Sequence, residues 1–61
     1  MLVEDLIRLM DDTSYVIIDT NNGDNTFTIL YSGIAQALPN CYAFMEVIMI
    51  SVMGEALTIT I

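Results

Sequence analysis

The chain has 61 residues and carries eight acidic side chains against a single basic one, which gives a formal net charge of −7 at pH 7. This acidity disfavours direct binding to a polyphosphate, so we expect no direct nucleic-acid partner. Hydrophobic residues nevertheless make up 56% of the sequence. A domain of this size buries only about 60% of the surface that its unfolded chain exposes. We therefore expect part of the apolar surface to meet a protein partner or a second copy of the chain.

Few side chains in this sequence could carry catalysis or hold a metal ion. Histidine is absent and Cys41 is the only cysteine, so the usual general base and a cysteine metal cluster are both missing. The segment DTNNGD at 19–24 alternates carboxylates with amides, but its glycine is fifth and the twelfth residue is Leu30. An EF-hand loop requires glycine at the sixth position and glutamate at the twelfth. We expect no enzyme activity, no cofactor and no metal.

The sequence also lacks the marks of membrane targeting. Its first residues, MLVEDL, carry acids where a signal peptide carries basic residues. The longest apolar stretch, which Glu46 interrupts, is too short to span a bilayer. We expect a soluble protein of the cytoplasm with no membrane partner.

The first predicted element is an amphipathic helix. At about 100° per residue, the apolar side chains of residues 2–10 fall on one side of a helix and the charged ones on the other. Glu4 and Asp5 would occupy the first turn, where the helix dipole favours anions, whereas Asp11 falls where it disfavours them. The pattern predicts a helix that ends by Asp11 and packs on a sheet through Leu6.

The next two segments have the composition of β-strands. SYVIIDT at 14–20 and TFTILY at 26–31 are rich in β-branched and aromatic residues and flank NNGDN, so we predict a hairpin that bends at Asn22 and Gly23. Neither strand has a purely polar face, which indicates a sheet that is contacted on both sides. Alternation places three large side chains of the second strand on one face: Phe27, Ile29 and Tyr31.

A short helix is predicted between the two halves of the chain. Ser32 is a suitable N-cap for a helix over 33–38, and Pro39 prevents its continuation. Residues 40–43 would then return the chain to the sheet. A helix of this length is stable only when it docks on other elements.

The last part of the chain predicts a second hairpin and completes the fold. From Glu46 to Met53 both alternating faces are apolar, whereas residues 56–61 alternate strictly between apolar and small or polar side chains. We expect the first of these strands to be the inner one and the second the outer one. The sequence thus predicts a single α+β domain over 1–61, with an antiparallel sheet of about four strands built from two hairpins, an N-terminal helix and a short helix between the hairpins.

Candidate partner-binding residues fall into two chemical groups. Exposed acids at the helix end and at the first hairpin tip would meet basic side chains on a partner. Tyrosine offers apolar area with a polar tip, and methionine adapts to irregular surfaces. The predicted partner-binding residues are Asp11, Asp12, Asp19, Asp24, Tyr15, Tyr31, Met49 and Met53.

In type, the chain resembles the very small acidic proteins of bacteriophages and mobile elements, among which are anti-CRISPR and other anti-defence proteins. The resemblance rests on size, acidity and the opening MLVEDLIRLMDD, followed by VIID and a glycine-containing turn. It implies an inhibitor that acts in the host cytoplasm and blocks the basic groove of a nucleic-acid-handling enzyme, by itself or as a dimer. The alternative is a homodimeric structural or accessory protein whose second sheet face is the dimer seam.

Overall fold

In a computed structural model, the chain forms a four-stranded sheet with short helices packed on one face. The structure describes residues 1–61 except for the side chain of Met53. The strands are β1 (Tyr15–Asn21), β2 (Phe27–Ile34), β3 (Met49–Met53) and β4 (Ala56–Thr60). The helices are α1 (Val3–Ile7) and α2 (Asn40–Ala43), with a 3-10 turn at Ala35–Ala37 between β2 and α2. The predicted α+β class is confirmed.

The sheet is mixed, and the prediction of a purely antiparallel sheet is wrong. Its strand order is β2-β1-β4-β3. The two hairpins pair antiparallel internally, but β1 and β4 pair parallel, with Ile18 opposite Ile59. Parallel neighbours require a long connection, and β2, the helical segment and β3 together supply it. The second hairpin therefore enters the sheet through its last strand.

That strand order also reverses the predicted positions of the last two strands. In β4, Thr58, Ile59 and Thr60 are all buried, whereas Val52 of the edge strand β3 is 71% exposed. The physical reason is that β4 has neighbours on both sides, while the outer edge of β3 has none among the described strands. The doubly apolar strand is thus the outer one.

The core lies on a single side of the sheet. Val16 and Ile18 of β1 and Ile59 of β4 are fully buried there, against Val3 of α1 and Ala35 of the 3-10 turn. Further apolar side chains from outside the strands pack around this centre while remaining partly exposed: Leu6, Ile7, Met10, Leu38, Tyr42 and Val47. One face of the sheet is therefore covered by helices, and we call the other the open face.

The helices are shorter than the sequence predicts. After Ile7 the backbone amides of Leu9 and Met10 bond to carbonyls three residues back, which tightens the last turn and ends α1 before the predicted residue 10. The predicted helix over 33–38 is reduced to a 3-10 turn, because Ser32 belongs to β2. Pro39 instead precedes α2, which the sequence did not predict, and its fixed φ suits a helix start.

Candidate protein-binding surface

The open face displays large apolar side chains from three of the four strands. Side chains alternate across a strand, and paired residues share a face. The register therefore assigns to this face the partners of Tyr15, Ile17 and Asp19. Its most exposed apolar residues are Ile29 at 62%, Met49 at 48%, Phe27 at 46%, Tyr15 at 45% and Ile34 at 40%.

A β-bulge in β2 decides which of its side chains reach this face. Ile18 pairs with Tyr31 but Asp19 pairs with Ile29, so Leu30 is an extra residue and the alternation shifts. Ile29 consequently turns to the open face, whereas Tyr31 packs with the core on the helical side. The prediction that Phe27, Ile29 and Tyr31 share a face is wrong for this reason.

Tyr31 is held in place on the helical side by its own strand. Its hydroxyl donates to the carbonyl of Ile34 at 2.8 Å. Its ring end lies over Gly33, where an added Cβ would stand 2.7 Å from the phenolic oxygen. Tyr31 therefore supports β2 and does not contribute to the open face.

Asp19 lies within the open face and is not the exposed acid that the sequence predicts. It is only 9% exposed, and the Thr60 hydroxyl donates to its Oδ1 at 2.6 Å. Both positive groups of the chain are engaged elsewhere, since Arg8 lies 3.8 Å from Glu4 and the N-terminal amine 4.0 Å from Glu46. The Asp19 carboxylate therefore has no cationic partner among the described residues.

A second polar group in the centre of the open face lacks a partner. Thr58 of β4 is 7% exposed, and its hydroxyl makes no hydrogen bond within the part of the chain that the structure describes. The register sets it opposite Ile17 of β1 and Ser51 of β3. A buried hydroxyl without a partner costs roughly 1–3 kcal/mol, so Thr58 lowers the stability of the sheet, and its sealed oxygen is not available to a partner.

The remaining predicted acids do not form one patch. Asp11 and Asp12 are exposed just before β1, whereas Asp24 is exposed in the turn after it. The seven residues of β1 span about 23 Å, so these acids mark opposite ends of the molecule. At the turn, the Thr26 hydroxyl donates to Asp24 Oδ1 at 2.5 Å and the Thr26 amide at 3.2 Å. Both bonds hold the pKa of Asp24 below its ordinary value.

Two of the other predicted contact residues, Tyr15 and Met49, lie on the open face. Tyr15 lies on the open face, and its hydroxyl is 2.5 Å from Ser32 Oγ, which holds the ring against β2. Met49 pairs with Thr60 and lies on the same face. The side chain of Met53 lies outside the described residues.

Three exposed residues of the open face were not among the predicted contacts: Phe27, Ile29 and Ile34. Phe27 and Ile29 fall in the predicted strand over 26–31, whereas Ile34 falls in the predicted helix over 33–38 and lies instead at the end of β2. The missing signal was the bulge at Leu30, which separates Phe27 and Ile29 from Tyr31. Regular alternation without a bulge would place Phe27, Ile29 and Tyr31 on the same face.

A groove of about 300 Å³ lies on the helical side, between α1, the 3-10 turn and α2. The Glu4–Arg8 ion pair forms part of its wall. No three side chains able to ligate a metal converge in the described part of the chain. Among the described helices, none is long and apolar enough to cross a membrane.

Comparison of the chain with protein-family models, curated proteins and solved structures finds no match. The surface itself is therefore the basis for assigning a function.

Proposed function

We propose that the protein is a non-catalytic protein-binding module that docks through its open face on a basic protein surface. The observation that carries the proposal is the row of exposed apolar side chains on the open face of a strongly acidic chain. Ile29, Met49 and Phe27 each expose roughly half of their surface or more. A sheet face that exposes several large apolar side chains typically marks an interaction site.

The charge of the chain specifies the chemistry of that partner. A body of net charge −7 is attracted to a basic surface and repelled by an acidic one. Basic grooves of nucleic-acid-handling enzymes meet this requirement, and the resemblance to anti-CRISPR proteins implies the same type of target. Occupation of such a groove would inhibit the enzyme by excluding its nucleic acid.

The test is inhibition of purified nucleic-acid-binding enzymes, with CRISPR effector nucleases as the first panel. We expect the wild-type protein to weaken nucleic-acid binding by at least one of them, measured by fluorescence anisotropy. Ile29→Asp on the open face should abolish the inhibition, whereas Val52→Asp on β3, a matched exposed aliphatic position on the helical side, should preserve it. Equal inhibition by both variants would show that the open face is not the contact, and a panel without any inhibition would refute the antagonist role.

A second candidate, a homodimer, is favoured by the exposed edge of β3. This strand, MISVM, has no charged side chain, and the backbone groups on its outer edge are available to another strand. Antiparallel pairing of two β3 strands about a two-fold axis would extend the sheet across both copies. A seam on the open face is less favourable, because it would bring the two Asp19 carboxylates into one interface.

Sedimentation equilibrium distinguishes these arrangements. Val52→Lys places a charge on the β3 edge and should dissociate an edge-to-edge dimer, whereas Ile29→Lys should leave it intact. The opposite result would assign the seam to the open face. A strict monomer at high micromolar concentration would exclude the homodimer and leave the open face to a different protein.

A further inference from the structure

The two edges of the sheet differ in how open they are to another strand. At the β2 edge, Leu30 forms a bulge, and the Tyr42 hydroxyl donates to the Leu30 carbonyl at 3.4 Å. Bulges and covered edges are devices by which natural sheets hinder pairing with another chain. The β3 edge, Met49–Met53, keeps an unbroken register with β4 and carries neither a charged residue nor a proline. The β3 edge is therefore the one suited to a further strand.

Hydrogen bonds on the far side of β4 show which backbone groups of β3 point away from the sheet. The Ile61 amide, just after β4, donates to the Asp19 carbonyl of β1 at 2.9 Å. Backbone groups alternate between the two sides of a strand, so odd positions of β4 bond to β1 and even positions bond to β3. The register partners of the even positions are Met49, Ser51 and Met53. The amides and carbonyls of Ile50 and Val52 therefore point outward.

The edge is already closed just before β3. The Val47 amide donates to the Met1 carbonyl at 2.8 Å, so the first residues of the chain pair antiparallel with the segment before β3. The Ile48 amide points inward, where it donates to the Thr60 carbonyl at 2.8 Å. The outward groups of β3 itself have no backbone partner among the described residues. The unpaired edge is therefore confined to Ile50 and Val52.

We infer that a second copy of the chain pairs with this edge antiparallel through its own β3, with Ser51 on the two-fold axis. The inference rests on the homodimer proposed above and specifies its register. Ile50 of each copy then lies opposite Val52 of the other, so both pairs exchange their N–H···O bonds and every outward group of β3 is used. With Ile50 or Val52 on the axis, only the axial residues would pair. The next positions would be Ile48, whose amide points inward, and Gly54, which lies in the turn.

The side chains along the seam favour the same register. Ile50 and Val52 pair with Ile59 and Leu57 and so lie on the helical side, yet they are 44% and 71% exposed. Residues directly opposite each other in an antiparallel pair share a face, so the two copies would form one aliphatic row across the seam. This row would cover apolar surface that the helices leave exposed, and no charged side chain would lie opposite a like charge within it.

This pairing leaves the open face accessible to a different protein. Because opposite residues share a face, the two-fold axis runs perpendicular to the sheet and both open faces lie on the same side of the dimer. The dimer would therefore present the apolar side chains of the open face twice. Dimer formation and docking on a basic partner are compatible, and two contacts on one partner would add avidity.

Disulfide formation between introduced cysteines tests the register. In a Cys41→Ser background, which removes the exposed native thiol, Ser51→Cys should give a covalent dimer with oxidised glutathione as the oxidant. Two residues on the axis of a non-hydrogen-bonded antiparallel pair have Cα atoms about 4.5 Å apart, within the reach of a disulfide. The matched control Val52→Cys should stay unlinked, because the two copies of this position would lie roughly 8 Å apart. Val52→Lys added to the Ser51→Cys variant should abolish the link.

Sedimentation equilibrium of the wild type separates failure of the register from failure of the homodimer. If the wild type is a dimer but Ser51→Cys does not link, or Val52→Cys links equally well, the register is overturned and the homodimer stands. A strict monomer at high micromolar concentration overturns both. Neither result bears on docking through the open face, which the nucleic-acid-binding assay tests separately.

The salt dependence of dimerisation provides a second test of the seam. Each copy carries a net charge of −7, whereas the strand MISVM has no charged side chain. Salt screens the repulsion between the two copies and leaves an uncharged seam unaffected, so the dimer should tighten as the salt concentration rises. A dimer that weakens with salt would depend on ion pairs and would overturn a seam formed by β3 alone.

Discussion

Gly33 lies beneath the ring end of Tyr31 in β2. A Cβ at this position would stand 2.7 Å from the phenolic oxygen and 3.1 Å from Cζ, so the ring would have to move. The hydrogen bond from the Tyr31 hydroxyl to the Ile34 carbonyl would then be lost. We expect Gly33→Ala to lower the free energy of unfolding by about 1–3 kcal/mol in urea titration, which is the usual cost of overpacking.

A double-mutant cycle identifies the cause of that loss. In a Tyr31→Phe background the nearest clashing atom is absent, so Gly33→Ala should cost less there than in the wild type. Equal costs in the two backgrounds would mean that backbone conformation, not the tyrosine, requires glycine.

Asp24 at the hairpin tip provides a pH-dependent test of the turn. Hydrogen bonds from Thr26 lower the pKa of Asp24 in the folded state. These bonds therefore stabilise the turn fully above the pKa of the unfolded chain, which is about 4. The stabilisation is lost as the pH falls through the lower pKa of the folded state. Thr26→Val removes the hydroxyl but keeps the amide donor, so the pKa of Asp24 should rise part of the way to its ordinary value. NMR titration of the side-chain carboxyl measures the pKa of Asp24 in the variant and in the wild type.

Thr28→Val is the control for that titration. The Thr28 hydroxyl donates to Asn22 Oδ1 and makes no hydrogen bond to Asp24. The pKa of Asp24 should therefore be unchanged in this variant. An equal rise in both variants would attribute the effect to general loosening of the turn.

At the scale of elements, α1 contributes to stability through a single apolar side. Leu6 is partly buried and packs against the core, whereas Leu9 follows the helix and is 84% exposed. Leu6→Ala should cost about 2 kcal/mol, near the low end for a core leucine because its site is open on one side. Leu9→Ala should stay within about 0.5 kcal/mol.

Reversible thermal unfolding of the two leucine variants checks this assignment. The comparison is matched, because both substitutions remove the same atoms from the same segment of the chain. Equal midpoints for Leu6→Ala and Leu9→Ala would contradict the packing of α1 on the sheet.

At the scale of the whole molecule, acidity should act on the rate of association with a basic partner. Asp11 and Asp12 lie near one end of β1 and Asp24 near the other, so their charges contribute to the overall field and form no single contact. We expect the triple variant with asparagine at these positions to associate more slowly and with a weaker dependence on salt, while its fold remains intact. Stopped-flow kinetics at low and high salt measure both effects.

The paired variant for that experiment is Asp19→Asn. Because Asp19 is nearly buried, its loss should act on the dissociation rate more than on the association rate. If the triple variant shows unaltered association at low salt, long-range attraction has no part in binding.

The candidate surface could be predicted only in part from the residue pattern. The sequence predicts Tyr15 and Met49 as contacts, since both residue types suit binding surfaces, and the register places both on the open face. The sequence predicts Asp19 as an exposed acid near the hairpin tip, but the pairing of its strand with β4 buries it against Thr60. The burial of Asp19 depends on Thr60, which is 41 positions away in the sequence. The residues next to Asp19 in the sequence therefore do not predict it.

Residue pattern and composition specify the α+β class, the two hairpins and the acidic character of the surface. Those features follow from local physics: β-branched alternation, glycine and asparagine at bends, and a count of charges. Tertiary structure alone decided that β4 lies beside β1, that Leu30 is a bulge and that β3 is an edge. Apolar and polar side chains alternate with a period of two in inner and outer strands alike. One extra residue, such as Leu30, exchanges the faces on which the side chains beyond it lie. Strand order is set by hydrogen bonds and side-chain packing between segments far apart in the chain.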